Sequence, residues 1–317
     1  MQKIIGIENI TAPLKRAVLT IGNFDGVHLG HRRLFKNVVN IARQIDGTAT
    51  AMTFEPHPMK VLKSDGCPFP LITLHEQKIE LLSQSGLDYL IVVPFNYEFS
   101  QISAQKFVQD ILVNRIGVKS IVIGNDYCFG KKRQGNIPLL QQYGDELGFS
   151  VHIVPWEAVE NNTQARISST AIRNAVSSGD LKQARQMLGR YYQVRGTVQR
   201  GRNRGGSQVG FPTANLKLYD ELKPLNGVYA VSVLYKEKYY CAVANIGFSP
   251  TFDDHDYTLE IHLIDFSGDL YGQTIRVNFI ERLRGEIKFS SINALSDQIR
   301  QDIQNAKKIL KAIQVEQ

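Results

Sequence analysis

The chain has 317 residues, enough for two domains, and an ordinary globular composition with 43% hydrophobic and 21% charged residues. No apolar run approaches the roughly 18 residues that a membrane span needs. The segment from Met1 to Ala17 lacks the continuous apolar stretch of a secretory signal. The three cysteines, Cys67, Cys128 and Cys241, are far apart and form no metal-ligand pair. We therefore expect a cytoplasmic protein with reduced thiols and no membrane contact.

The formal net charge is +7 and the isoelectric point is about 9.2, which suits an anionic partner. Basic residues form two short clusters beside glycines: Lys131, Lys132 and Arg133, then Arg195, Arg200, Arg202 and Arg204. We interpret both clusters as local phosphate sites. Solvated loops and an RNA-binding surface remain alternatives.

Strand-like and helix-like segments alternate from residue 17 to about residue 155. The strand-like runs are Val18–Ile21, Thr48–Phe54, Tyr89–Val93, Ser120–Ile123 and Val151–Val154. The helical patterns lie near residues 31–45, 75–85, 103–115 and 137–147. This alternation predicts βαβ units and a doubly wound parallel sheet, with ligands bound beyond the carboxyl ends of the strands.

The spacing of apolar residues changes after residue 190, where short strand-like runs follow one another without helical patterns between them. They are Tyr192–Gln199, Gly227–Tyr235, Tyr239–Asn245, Tyr257–Ile264 and Thr274–Glu281. This pattern predicts a small antiparallel barrel, with a hairpin turn at Lys236 and Glu237. An amphipathic helix is expected at about residues 294–313. A short helix introduced by residues 178–180 precedes the boundary, which we place between residues 186 and 187. The two predicted domains are therefore 1–186 and 187–317.

Residues 22–31, GNFDGVHLGH, follow the first strand-like run and lead into a helix. Three glycines let the backbone turn tightly and approach a ligand closely. A helix N-terminus with free N–H groups favours anions, and two histidines three residues apart can both face the same ligand. A polyphosphate is the predicted ligand, and a glycine-rich turn with surface histidines is the alternative.

Three further clusters follow later strands of this half. Residues 53–58, TFEPHP, place a histidine between two prolines that stiffen the loop. Residues 124–130, GNDYCFG, combine polar, aromatic and nearby basic groups. Residues 166–173, RISSTAIR, bring hydroxyls to a predicted helix start. A rigid turn, turn formers and a helix cap are the respective structural alternatives. All four segments would meet at one edge of the sheet.

These segments resemble bacterial FAD synthetase, a nucleotidyltransferase with a His-x-x-His loop, here His28 to His31. The resemblance implies a nucleotidyltransferase-like Rossmann fold and transfer of AMP from ATP to FMN, giving FAD and pyrophosphate. It implies that His28 and His31 stabilise charge on the reacting phosphates. It also implies phosphate or ATP contacts at Gly22, Asn23, Phe24, Gly30, Ser168, Ser169, Thr170 and Arg173. Flavin or Mg²⁺ would lie near Pro56, His57, Pro58, Asn125 and Asp126.

The second half contains a glycine- and arginine-rich stretch that fits a phosphate cradle. It includes Gly196, Gly201 and Gly210 and continues to Thr213 and Asn215. In an extended segment Thr213 and Asn215 point to one face, where their oxygens suit Mg²⁺. A flexible hairpin is the alternative interpretation.

A carboxylate on a later strand completes the second candidate site. Alternation puts Glu260 and His262 on one face of that strand and Leu259, Ile261 and Leu263 on the other. Glu260 could take the proton of an attacking hydroxyl. An exposed strand glutamate without chemistry is the alternative.

The stretch GFPTAN at residues 210–215, the Asn245 segment and the Glu260 strand resemble riboflavin kinase. Together the two halves resemble the bacterial bifunctional riboflavin kinase/FAD synthetases. The resemblance implies phosphorylation of riboflavin by ATP, with Glu260 as general base and Thr213 and Asn215 as ligands of Mg²⁺ and nucleotide. Ser249 stands where many members have a basic or amide residue.

The expected partners are therefore ATP, riboflavin and FMN, with no nucleic acid and no membrane. We expect a monomer or a weak homo-oligomer. Two alternatives are an adenylyltransferase with a non-catalytic flavin-binding barrel and a flavin-sensing RNA-binding protein. The sequence has no RNA-recognition motif, and its cations adjoin predicted phosphate loops.

Overall fold

The computed structural model describes residues 1–62, 69–156, 158–159, 162–199, 210–218, 220–248 and 257–314. The chain divides into two compact units. The first comprises Met1–Phe69 and Thr73–Ser169, and the second comprises Pro70–Ile72 and Thr170–Gln317. The predicted domain boundary between residues 186 and 187 stays a prediction.

A six-stranded parallel sheet forms the centre of the first unit, as the alternating pattern predicts. Its strands are Gln2–Ile5 (β1), Ala17–Ile21 (β2), Ala49–Glu55 (β3), Tyr89–Pro94 (β4), Val118–Gly124 (β5) and Ser150–Val154 (β6). Their order is β1-β4-β3-β2-β5-β6, and every neighbouring pair is parallel. β1 was not predicted, because it is a mostly exposed edge strand without an apolar run.

Helices connect these strands and cover both faces of the sheet. They are Leu29–Gln44 (α1), Pro58–Leu62 (α2), His75–Ser83 (α3), Tyr97–Ser100 (α4), Ala104–Lys106 (α5) continuing as a π-helix over Phe107–Ile116, and Ile137–Leu147 (α6). Phe35 of α1 joins a core that includes Val18, while Leu140 of α6 joins another that includes Leu19. Because Val18 and Leu19 are neighbours on β2, the two cores lie on opposite faces of the sheet.

The strand order identifies the edge where a ligand is expected. From β2 the chain proceeds to β3 and β4 on one side, whereas β5 and β6 lie on the other. The order therefore reverses between β2 and β5. In open parallel sheets, ligands bind in the crevice beyond the carboxyl ends of the strands at such a reversal. The histidine loop follows β2, and the GNDYCFG segment follows β5.

Two short helices and a small hairpin lie between the parallel sheet and the barrel in sequence. The hairpin pairs Ala158–Val159 (β7) with Asn162–Arg166 (β8). The helices are Ser169–Ser178 (α7) and Leu181–Leu188 (α8). Asp180 accepts the backbone N–H of Gln183 and so caps α8, the short helix that the sequence predicts.

The second unit contains the predicted antiparallel barrel. Its strands are Tyr192–Thr197 (β9), Ala214–Lys217 (β10), Gly227–Tyr235 (β11), Lys238–Phe248 (β12), Tyr257–Leu263 (β13) and Thr274–Arg284 (β14). They pair in the order β10-β13-β12-β11-β14-β9, and a bridge from Gln199 to Asn215 almost closes the barrel. Lys236 and Glu237 have positive φ at the β11–β12 turn, which confirms the predicted hairpin.

The last helix, Ile292–Gln314 (α9), packs on the outer face of the barrel. Ala306 and Leu310 are buried there with Val243 of β12, which confirms the predicted apolar stripe. A buried ion pair adds to this packing. Arg284 donates through Nε and Nη2 to Asp302, at 3.0 and 2.8 Å from Oδ2. Asp302 is only 3% exposed, so the pair fixes the helix to the end of β14.

Candidate active sites

The first candidate site is the histidine loop between β2 and α1. His28 is the N-cap of α1, and its Nδ1 accepts the backbone N–H of His31 at 3.3 Å. The two imidazole rings stack with centroids 3.6 Å apart. Because Nδ1 of His28 accepts this bond, the neutral ring carries its proton on Nε2. The cap therefore leaves His28 with an N–H donor at the start of a helix, where anions are favoured.

Two glycines make room for the rings in this loop. A Cβ on Gly30 would lie 3.2 Å from the His28 ring, and a Cβ on Gly22 would lie 2.8 Å from the Phe24 ring. Phe24 itself is 1% exposed, and its edge contacts His31 with centroids 5.3 Å apart. Its side chain packs in the core and contacts the His31 ring there. The ATP contact expected of Phe24 stays a prediction, and its side chain leaves almost no surface for a ligand.

A buried hydrogen-bond network fixes the middle of the loop. Asp25 is 3% exposed, and its Oδ1 accepts both the backbone N–H and the hydroxyl of Thr73, at 3.0 and 3.2 Å. The same hydroxyl accepts the N–H of Gly26 at 3.0 Å. Ser169 donates its hydroxyl to the Asp25 carbonyl at 2.9 Å. Three distant segments of the chain thus meet at Asp25.

Neither Asp25 nor Thr73 was among the predicted site residues. Asp25 lies inside the loop motif, so its position gave a signal, but its partner is 48 residues away. A contact between residues so far apart leaves no trace in local periodicity. The predicted ATP contact Asn23 also has a structural bond here, because its carbonyl accepts the Thr53 hydroxyl at 3.2 Å.

The TFEPHP segment lies at the carboxyl end of β3. His57 is 6% exposed, its Nδ1 accepts the backbone N–H of Met59, and its ring stacks on Phe69 at 4.5 Å. It therefore caps α2, which begins at Pro58, while Pro56 follows the last residue of β3. The geometry accounts for His57 structurally, and the flavin contact expected of this segment stays a prediction.

The residues after β5 are open to solvent. Asn125 and Asp126 are both exposed, and Asp126 accepts from the guanidinium of Arg166 at 2.6 Å. That guanidinium also lies over the ring of Trp156, 3.8 Å from its centroid. A polar and aromatic surface therefore borders the carboxyl end of β5. Neither Trp156 nor Arg166 was among the predicted site residues.

The RISSTAIR segment is divided between the two units. Ser168 and Ser169 stand at the start of α7 on the first unit, whereas Thr170 and Arg173 belong to the second. Arg173 donates from Nε to the carbonyl of Pro70 at 3.0 Å. The phosphate contacts expected of these four residues stay predictions.

The second candidate site is a row of side chains across three barrel strands. Glu260 on β13 lies directly opposite Asn215 on β10 and Asn245 on β12. Opposed residues have Cβ atoms about 4.5–5.5 Å apart. The neighbouring Leu259 and Ile261 are fully buried, so the Glu260 row is on the outer face of the barrel, as the alternation predicts.

Glu260 keeps contact with solvent, yet the surrounding protein atoms partly desolvate its carboxyl group. This desolvation raises the pKa of Glu260 above the ordinary value of 4.5. A carboxylate with a raised pKa is a better proton acceptor than an ordinary surface glutamate. The position and the pKa shift together fit the predicted general base.

Thr213 and Asn215 precede and enter β10 beside Glu260. Asn215 donates from Nδ2 to the carbonyl of Thr213 at 3.5 Å, and the Thr213 side chain is exposed. Nearby, His262 donates from Nδ1 to the Pro212 carbonyl at 2.9 Å and so ties this segment to β13. The hydroxyl of Thr213 and the amide oxygen of Asn215 are hard donors of the kind that Mg²⁺ prefers.

No group of three His, Cys, Asp or Glu residues suited to a metal ion occurs in the described parts of the chain. A Mg²⁺ ion beside Thr213 and Asn215 would therefore take its remaining ligands from water and nucleotide phosphates. That division of ligands is usual for Mg²⁺ bound together with ATP. The residues present fit the ion.

The glycines predicted to contact phosphate in the second half of the chain lie in different structural elements. Gly196 lies within β9 opposite Ile275, and Gly210 precedes β10 with a φ of +83°. Gly201 lies outside the described residues, as do Ser249 and the basic residues Arg200, Arg202 and Arg204. None of the helices in the described ranges has the length and apolar character of a membrane span.

Comparisons with known proteins divide the chain into two family regions. Residues 10–171 match the family model of FAD synthetase, and residues 188–310 match that of riboflavin kinase. A bifunctional riboflavin kinase/FMN adenylyltransferase of Haemophilus influenzae is 39% identical over 97% of this chain and 98% of its own length. One from Escherichia coli is 40% identical over 95% of this chain and 96% of its own.

A solved structure also resembles the whole chain. It is the crystal structure of a macrolide-efflux protein from Streptococcus pneumoniae, with a TM-score of 0.86 and 32% identity. The likeness covers 97% of this chain and 99% of that one. The two family models and the full-length relatives show that the chain belongs to the family of bifunctional riboflavin kinase/FMN adenylyltransferases.

Proposed function

We propose that this protein phosphorylates riboflavin to FMN with ATP and then adenylylates FMN with a second ATP, giving FAD and pyrophosphate. The observation that carries the proposal is that each matched family region contains its own candidate site. The histidine loop lies in the FAD synthetase region, and the Glu260 row lies in the riboflavin kinase region.

In the kinase reaction, Glu260 accepts the proton of the riboflavin 5′-hydroxyl as that oxygen attacks the γ-phosphate of ATP. Its raised pKa strengthens it as an acceptor, and its place in the strand ladder fixes its direction. Thr213 and Asn215 position the nucleotide beside it. Mg²⁺, when bound there, neutralises phosphate charge and aligns the transferred group. The intact Asn215–Glu260 pair favours this activity over a non-catalytic barrel.

In the adenylyl transfer, His28 and His31 hold the ATP phosphates at the start of α1. The N–H on Nε2 of His28 and the positive end of the α1 helix dipole stabilise charge on the α-phosphate and on the leaving pyrophosphate. The FMN phosphate is the nucleophile, so positioning accounts for most of the catalysis. The flavin lies toward the segments that follow β3 and β5.

Other parts of the proposal rest on the sequence. The small molecules ATP, riboflavin and FMN are the partners, and nucleic acid is not. A monomeric or weakly associating state, a cytoplasmic location and the use of Mg²⁺ are also proposed. An RNA-binding role would require affinity for nucleic acid that falls steeply with salt concentration.

Chromatography of the products formed from riboflavin, ATP and Mg²⁺ tests the proposal. The unaltered protein should yield FMN and then FAD. Glu260→Ala should stop FMN formation while the conversion of added FMN to FAD continues. His28→Ala should make FMN accumulate, with FAD formation lowered about 10²–10³-fold, as for loss of one oxyanion-stabilising donor.

Two results would contradict the proposal. One is the loss of both reactions from a folded single variant, since each site should serve one reaction. The other is a protein that binds riboflavin but turns over no ATP. Circular dichroism and the retained second reaction serve as folding controls for both variants.

A further inference from the structure

The second unit has a cavity of about 390 Å³ on the outer face of the barrel, away from the Glu260 row. One wall comes from the end of α8 and the residues after it, including Arg185 and Tyr191. Another comes from the start of β12, including Tyr240, and a third from the end of α9 at Leu310. Elements far apart in sequence therefore enclose a space within the range of small-molecule sites.

The strand register separates this cavity from the candidate kinase site. Cys241 lines the cavity, and Asn245 lies four residues further along β12, opposite Glu260. Four residues of extended strand span about 13 Å. Neither Glu260 nor its partner Asn215 lines the cavity.

The charge of the lining favours an anion. Arg185 and Arg190 both contribute to it, and no Asp or Glu does so among the described residues. The guanidinium of Arg185 lies over the Tyr191 ring, 4.2 Å from its centroid, which holds this cation in the wall. Arginine guanidinium groups are suited to bidentate recognition of phosphate.

The aromatic and amide groups that line the cavity favour a ligand with a planar ring. Tyr191, Tyr239 and Tyr240 all line the cavity, and Tyr239 is 57% exposed. Gln193 donates from Nε2 to Oδ1 of Asn278 at 2.7 Å, so the wall also presents ordered amide groups. Tyrosine faces stack on heteroaromatic rings, and amides form hydrogen bonds with ring edges.

We propose that this cavity is a further binding site for a phosphorylated heteroaromatic compound, one ring system carrying a phosphate group. An adenine nucleotide and a flavin mononucleotide share this chemistry. Because Glu260, the proposed base of the kinase reaction, does not line the cavity, its occupant acts as an effector and not as a substrate of that reaction.

Cys241 provides a direct readout, because its thiol lines the cavity and is partly accessible. The rate of N-ethylmaleimide labelling at Cys241 would be followed by peptide mass spectrometry, with the rate measured without ligand as reference. AMP, FMN, riboflavin and inorganic phosphate would be the four probes. At about ten times its Kd a ligand leaves about one tenth of sites empty, so labelling should slow about tenfold.

Protection of Cys241 by AMP or FMN, but not by riboflavin or phosphate alone, is the expected result. Comparing protection by AMP with protection by FMN shows whether the ligand is an adenine nucleotide or a flavin mononucleotide. Arg185→Gln should abolish the protection while leaving riboflavin phosphorylation unchanged. Tyr239→Ala is a second variant, and both side chains are exposed, so neither change removes buried packing.

Arg300→Gln is the matched control, since Arg300 lies on α9 but outside the cavity, and it should keep full protection. The proposal is overturned if neither AMP nor FMN slows labelling of Cys241. It is also overturned if riboflavin protects equally well, or if both cavity variants keep the protection.

Discussion

The two candidate sites are built in different ways. In the first, the candidate catalytic histidines lie where a loop enters a helix, and side chains from segments distant in sequence hold that loop at Asp25. In the second, Asn215, Glu260 and Asn245 are aligned by strand pairing. Side-chain hydrogen bonds thus fix the first site, and the backbone ladder fixes the second.

This difference predicts unequal sensitivity to mutation. A single polar substitution distant in sequence from the histidine loop can loosen it, because side chains such as that of Thr73 hold its middle. The Glu260 row should tolerate substitutions around it as long as the barrel stays folded. Variants that disturb only the hydrogen bonds of the histidine loop, or only the packing of the barrel, test the comparison.

The largest effect is expected for the ion pair that holds α9 to the end of β14. Asp302→Ala leaves Arg284 partly buried without its carboxylate, which should lower the free energy of unfolding of the second unit by about 3–5 kcal/mol. Urea titration followed by circular dichroism measures this change. Asp297→Ala, in an exposed pair with Arg300, is the control and should change stability by no more than about 0.5 kcal/mol. Equal effects of the two substitutions would mean that the buried pair does not anchor α9.

A smaller effect, confined to the first site, is expected for Thr73→Val. The change removes the hydroxyl that joins Asp25 to Gly26, at a cost of about 1–3 kcal/mol for the unpaired groups. If that cost falls on the active loop conformation, kcat/KM for FAD formation drops about 5- to 150-fold. Steady-state kinetics with FMN and ATP measures it. Thr73→Ser should restore the rate, and riboflavin phosphorylation should stay unchanged in both variants. A rate unaffected by Thr73→Val would show that the loop needs no such support.

The smallest effect is a difference in pH dependence. Desolvation raises the pKa of Glu260, so its carboxylate becomes protonated at a higher pH than an ordinary glutamate as the solution is acidified. Riboflavin phosphorylation should therefore lose activity on the acid side with a midpoint above 4.5. Initial rates measured across pH at saturating ATP give this midpoint. A midpoint at or below 4.5 would argue against Glu260 as the titrating base.

Much of the fold could be predicted because its elements are strongly periodic. Five strands of the parallel sheet, the amphipathic helix α9 and the β11–β12 turn agree with their patterns. The edge strand β1 and the short hairpin β7–β8 were missed, since neither has an alternating apolar run. Strand pairing beyond sequence neighbours, such as β1 beside β4, has no local signal.

The candidate sites show the same limit. His28, His31 and Glu260 stand out in the sequence because their spacing and neighbours are distinctive. The burial of His57 as a helix cap and of Phe24 in the core depends on tertiary packing, so the sequence could not separate support from ligand contact. The hydrogen bond between Asp25 and Thr73 could not be predicted from the sequence either.

The cap formed by His28 has a consequence for acidic conditions. A proton added at Nδ1 would turn this nitrogen from acceptor to donor, so the first turn of α1 would lose its cap in the same event that charges the ring. Attraction for phosphate and order of the loop would then change in opposite directions. An asparagine at position 28 would separate the two roles, since its amide oxygen can start the helix but cannot titrate.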